Sequence, residues 1–96
     1  MDRTINTARR PTHPGAILRE DTLPAIRLSG NELAEAIDIS QQILKEILKE
    51  RGSVSADIAH RLGRAFGMSP DIWLRMQQAV DLYALQEADN ANLRKD

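Results

Sequence analysis

Cysteine is absent from this 96-residue chain, which excludes a disulfide framework and a zinc finger of the usual kind. Aromatic residues are nearly absent too: one Trp, one Tyr and one Phe. Leu, Ile and Ala dominate the apolar set instead, which suits an all-helical core. No run of roughly 18 apolar residues exists, so nothing reads as membrane-spanning. The N-terminus lacks an apolar signal core, which predicts a cytoplasmic protein. An excess of one charge is missing as well. Thirteen Lys and Arg against fourteen Asp and Glu leave a formal net charge of −1. A strongly basic domain would carry a nucleic-acid footprint on its own. This chain would have to concentrate positive charge locally, or bind weakly as a monomer and rely on pairing. Catalytic patterns are also lacking. His13 and His60 lie far apart with no metal-ligand spacing near either, and there is no Gly-rich phosphate loop or nucleophile motif. The sequence therefore predicts no enzyme and no cofactor, in one domain with a modest core.

What is present centres on Ser29 to Glu50, which reads as two short helices joined by a tight turn. The first, about Asn31 to Ile37, sets Leu33, Ala34 and Ile37 on one face. Ser29 is its N-cap, and Glu32 stands three residues later, where it closes a capping box. The second begins after Ser40, another N-cap type, and carries Ile43, Leu44, Ile47 and Leu48 on an apolar stripe. Asp38 and Ile39 leave room only for a sharp turn, and Ala34 allows the helices to cross closely. This is a helix-turn-helix pattern. At about 100° per residue, Gln41, Gln42, Lys45 and Lys49 fall opposite the Ile/Leu stripe. Amide and ammonium groups there suit the DNA major groove, since Gln pairs bidentately with adenine and Lys donates to the acceptors of guanine. A solvated Glu/Lys face is the alternative.

Residues 1–12 are polar, with Arg3, Arg9 and Arg10, and read as an arm. The arm is either a phosphate or minor-groove contact or simply a soluble tail. His13-Pro14-Gly15 opens a helix, with Pro at the first helical position, and His13 caps or packs against its start. The helix is expected to reach about Thr22 and to end at Pro24. Beyond Glu50, Arg51-Gly52-Ser53 form a loop in which Gly52 offers a left-handed helix exit. Ser55 caps a helix to Phe66 with Asp57 near its positive end. Arg61 and Arg64 on that helix read as surface pairs or mild phosphate contacts. Ser69-Pro70-Asp71 starts the last helix, expected to run to about Glu87 and fray through residues 89–96.

That last helix has more apolar surface than one core needs. Ile72, Trp73, Met76, Ala79, Val80, Tyr83 and Ala84 make one broad stripe, while Leu74, Leu82 and Leu85 project from another arc. A helix apolar on two sides needs two partners. One is its own domain, and the other is expected to be a second copy, through Leu74, Leu82 and Leu85. Packing of that arc on a folded-back tail is the alternative.

Taken together, these blocks resemble a known family. His13-Pro14-Gly15 with Ile17-Leu18-Arg19-Glu20 is similar to the HPGExLRE opening of HigA-type antitoxins, a branch of the Xre/Cro-like helix-turn-helix family. Asn31-Glu32-Leu33-Ala34, then Ile39-Ser40, matches NxLAxxxxVS. Ser55-Ala56-Asp57-Ile58-Ala59, Arg61-Leu62 and Ala65-Phe66-Gly67 match ISxDxAxRLxRxFG. Ser69-Pro70, Trp73-Leu74, Gln77, Ala79 and Asp81-Leu82 match SPxxWLNLQxxYDL. The likeness covers about Pro11 to Glu87. The recognition helix departs from the branch's RxTISxxLNG: Gln41 stands in place of Arg, and Ile43 and Lys45 replace small polar residues. Asp38 replaces the usual turn glycine, and the helix exit lacks Asn-Gly.

The resemblance implies an all-α, five-helix, lambda-repressor-like domain over residues 13–88 that dimerises through its last helix. It implies double-stranded operator DNA, a HigB-type toxin and a second copy as partners, with no membrane association. Base reading falls to Gln41, Gln42 and Lys45, and backbone contact to Asn31, Lys49, Arg51 and Ser53. The function implied is an antitoxin that represses its own operon and silences a RelE-like, mRNA-cleaving toxin. A toxin-neutralising module with lost DNA binding, or a stand-alone repressor, remains an alternative. The extra leucines of the last helix and the Arg-rich arm are both candidate toxin surfaces.

Overall fold

The computed structural model describes residues 10–94. Most of the expected arm, including Arg3 and Arg9, and the end of the expected tail, Lys95 and Asp96, lie outside the described residues. Among the described residues there are five helices and no strand. Pro14–Ile17, a π turn at Leu18–Thr22, and Leu23–Ile26 run on without a break, and together form α1. Then come α2 (Gly30–Ala36), α3 (Gln41–Leu48), α4 (Ala56–Phe66) and α5 (Asp71–Arg94).

Helix α1 departs from expectation at Pro24. That proline lies inside the helix and does not end it. In the π turn the Leu23 N–H reaches back five residues to the Leu18 carbonyl. A proline ring normally clashes with the carbonyl four residues earlier, and the wider turn gives it room. The helix ends instead at Arg27, with φ 58°.

Helix exits follow one scheme. At Arg27, Asp38 and Glu50 the backbone turns left-handed, with φ 58°, 60° and 64°. At each, the following N–H reaches back five residues: Leu28 to Leu23, Ile39 to Ala34 and Arg51 to Glu46, at 3.2, 3.0 and 2.9 Å. These are Schellman turns, which satisfy carbonyls a helix end leaves open. Asp38 turns the chain where the sequence placed the turn. Gly52 does not make the exit expected of it, because Glu50 has already taken the left-handed position. Gly52 instead lies close against the end of α3, where a Cβ would stand 3.1 Å from the Ile47 nitrogen. Among the described residues, only α4 leaves through a glycine, Gly67 at φ 65°.

The core joins all five helices: Leu18 and Leu23 from α1, Leu33 and Ala34 from α2, Leu44 and Ile47 from α3, Ile58, Ala59 and Leu62 from α4, and Trp73 from α5. Trp73 packs on Phe66 at a tilted angle, with ring centroids 6.3 Å apart. Gln77, also buried, accepts from the Val54 N–H at 2.9 Å and donates to Asp81 at 2.9 Å. That amide ties α5 to the loop after α3, so the loop's buried N–H keeps a partner. Helix α5 continues to Arg94, past the expected end near Glu87 and through most of the expected frayed tail. Its 24 residues span about 36 Å, against molecular extents of 49 × 29 × 21 Å.

Candidate nucleic-acid interface

Helix α3 is held at both ends. At its start Ser40 Oγ accepts from the Gln42 and Ile43 N–H groups at 3.1 and 3.2 Å. At its end Arg19, from α1, donates to the Leu48 carbonyl and to Glu50 at 2.6 and 3.0 Å. The same guanidinium bonds Glu20, and these two carboxylates push its pKa above the ordinary arginine value. Gly15 lies against α3 so closely that a Cβ there would overlap the Ile47 carbonyl oxygen. His13 Nδ1 accepts from the Gly15 N–H at 2.9 Å, so the neutral ring carries its hydrogen on Nε2, which donates to the Gly52 carbonyl at 3.1 Å. The His-Pro-Gly motif, read from the sequence as a helix opening, is therefore also the seat of α3. His13 is buried in that seat.

The turn before α3 has its own clamp. Arg61, on α4, donates to the Ile37 and Asp38 carbonyls at 2.9 and 3.2 Å, and its Nε donates to Asp57 at 3.0 Å. The Asp57 pair is the surface contact expected, whereas the two carbonyl bonds across the turn were not legible. Helix α2 begins with the predicted capping box: the Glu32 N–H donates to Ser29 Oγ at 3.1 Å, and the Ser29 N–H donates to Glu32 at 2.9 Å.

On this frame Gln41, Gln42 and Lys45 are exposed on α3, and Lys49 is exposed just past its end, as the C-cap residue. Among the described residues neither lysine takes part in an ion pair, so both charges face solvent. Gln42 donates weakly to Glu46 at 3.4 Å, and Glu46 pairs with Arg51 at 3.3 Å. Arg51 thus offsets a carboxylate on the polar face as well as standing exposed beside it. Asn31 and Ser53 are exposed, at the start of α2 and in the loop beyond α3. Ile43 departs from the expected apolar stripe. It is 49 % exposed, because only Leu44, Ile47 and Leu48 turn inward.

Of the three leucines expected on a second surface, Leu82 and Leu85 are 56 % and 64 % exposed. Leu74 is half-buried against the core, so it is committed in part to its own domain. A second apolar surface was not legible in sequence: a groove of about 610 Å³ between α1, α4 and the start of α5, with Ile26, Met68 and Ile72 exposed along it.

Five helices, of which the third is capped and turns its polar side outward, define a helix-turn-helix protein. The helix-turn-helix family model matches residues 25–73. Virulence-associated protein I of Dichelobacter nodosus is 43% identical over 82 residues, covering 84% of this chain and 76% of that protein. Antitoxin HigA-1 of Vibrio cholerae is 32% identical, over 80% of this chain and 72% of its own. Among solved structures, Pseudomonas aeruginosa antitoxin HigA with its higBA promoter superposes with a TM-score of 0.82 at 34% identity, covering 91% of this chain and 95% of that one. The chain belongs to the Xre-like helix-turn-helix family, in its HigA-like branch, which is not a family of enzymes.

Proposed function

We propose that this protein is a dimeric antitoxin that binds operator DNA in a sequence-specific way, represses its own operon, and neutralises a HigB-type, RelE-like mRNA-cleaving toxin. The observation that carries the DNA-binding part is the joint exposure of Gln41, Gln42 and Lys45 on a helix fixed at both ends, with Lys49 exposed at its C-cap. Gln41 and Gln42 present amides to adenine edges, and Lys45 presents an ammonium to guanine acceptors. Asn31, Lys49, Arg51 and Ser53 take phosphates, which fixes register without reading sequence. Dimerisation through Leu82 and Leu85 on α5, with Leu74 at the edge, would set two α3 helices on half-sites roughly 34 Å apart. The relative solved with its promoter supports this reading.

The test is a shift assay of the purified protein on its own promoter fragment across a salt series. The expected result is a discrete complex whose affinity falls steeply with salt, as phosphate contacts require. No complex at low salt, with a small basic toxin still co-purifying, would instead support a toxin-neutralising module that has lost DNA binding. The net charge of −1 and Glu46 on α3 favour that second reading. Co-expression with the product of the neighbouring gene tests the toxin itself. Relief of its mRNA cleavage by this chain is expected, and undiminished cleavage would contradict the antitoxin role.

A further inference from the structure

We propose that Ile43 is a specificity-determining residue whose side chain packs on the C5-methyl group of a thymine in each half-site. The inference rests on the DNA-reading role above and adds a base preference to it. Ile43 sits in the first turn of α3, the end that meets base edges when such a helix enters the major groove. Its N–H is held by Ser40 Oγ at 3.2 Å, so its place on the helix is fixed. The side chain is 49 % exposed and belongs to neither the core nor the residues packed against it.

The other exposed large hydrophobics are gathered elsewhere. Ile26, Met68 and Ile72 flank the groove, and Leu82 and Leu85 share α5. Ile43 instead stands at the edge of the polar side of α3, flanked there by Glu46 and Gln42, with the buried Ile47 on its other side. A branched alkyl group has no hydrogen bond to offer a base. The thymine methyl is the one apolar group on the major-groove edge. Gln42, reading adenine, and Ile43, reading thymine, together favour A·T pairs. Contact with the methyl also discriminates thymine from cytosine, which carries only hydrogen at C5.

The full-length protein would first select duplexes from a random pool. Each thymine of the selected site would then be replaced by deoxyuridine, one at a time in one half-site, which removes the methyl and leaves pairing intact. Wild type is expected to lose about fourfold in affinity at one position, the factor that burying one methyl-sized group is worth. Ile43→Ala should bind the thymine and deoxyuridine duplexes equally, and Ile43→Val should retain part of the difference. Both variants should keep the wild-type helical spectrum and self-association. A selected site insensitive to every methyl overturns the assignment alone, as does an Ile43→Ala protein still as sensitive as wild type. Loss of self-association in Ile43→Ala would place the side chain in a protein contact and overturn it too. A pool that yields no preferred duplex overturns the DNA-reading role itself, and the assignment with it.

Discussion

The stretch from Ser29 to Arg51 and the far half of α5 are both helical, yet they are held in opposite ways. Within the first, every helix end has an outside partner: Ser29 and Ser40 at the starts, Arg61 at the turn, and Arg19 and His13 at the exit. Beyond Val80 only Tyr83 is half-buried, and the rest of α5 is exposed through residue 92. A recognition surface has to hold its side chains in fixed register, because a small displacement loses bidentate geometry at a base. The far half of α5 carries exposed leucines and no core contact. Its helix is complete, but its leucines stay exposed.

Substitutions can sharpen that contrast. Gly15→Ala strikes the seat of α3, where the obstructing atoms are backbone and cannot swing aside. It should destabilise the fold by about 3 kcal/mol, seen as a large drop in thermal midpoint. A midpoint within a degree or two of wild type would mean that α1 does not seat α3. Arg61→Met removes two hydrogen bonds to the turn carbonyls, together with the exposed pair to Asp57, while keeping most of the side-chain bulk. A loss of about 1 kcal/mol is expected, measured by urea denaturation, and no loss would show that water replaces the clamp. Arg27→Gly works in the other direction. Arg27 holds a left-handed conformation that glycine adopts without steric cost, so stability should rise by about 0.5 kcal/mol. A fall would reveal a contact made by the Arg27 side chain.

The smallest effect on folding is expected from Leu82→Glu with Leu85→Glu. Both positions are more than half exposed, so monomer stability should change by less than about 0.5 kcal/mol. Sedimentation should nonetheless show the wild type as a dimer and the double variant as a monomer. An intact dimer would move the interface elsewhere, with the apolar groove beside Ile26 and Ile72 the next surface to probe.

How much of this was legible in the sequence depended on whether the cause was local. The capping box at Ser29–Glu32, the Ser40 cap and the Asp38 turn are set by residues within a few positions of one another, and each was readable. The Arg19 and Arg61 clamps join positions 29 and 24 apart, and no short-range pattern carries that pairing. Pro24 misled because a proline stop assumes a regular ladder, and the π turn is an irregular one. Ile43 misled because four apolar residues on a short helix looked like one stripe. Only three of them fit against the core, so the fourth had to face outward. The polar side of α3 was legible because exposure follows directly from helical spacing. The base preference proposed for it was not, because that depends on a duplex the sequence does not contain.

The most direct measurement is the ratio of affinities for the promoter site and for random duplex, taken at one salt concentration for wild type, Gln41→Ala and Gln42→Ala. Both side chains are exposed on α3, so folding should be unaffected. If α3 reads bases, each variant lowers that ratio by about 1–3 kcal/mol, while binding to random duplex stays near wild type. Ratios unchanged in both variants would contradict the account.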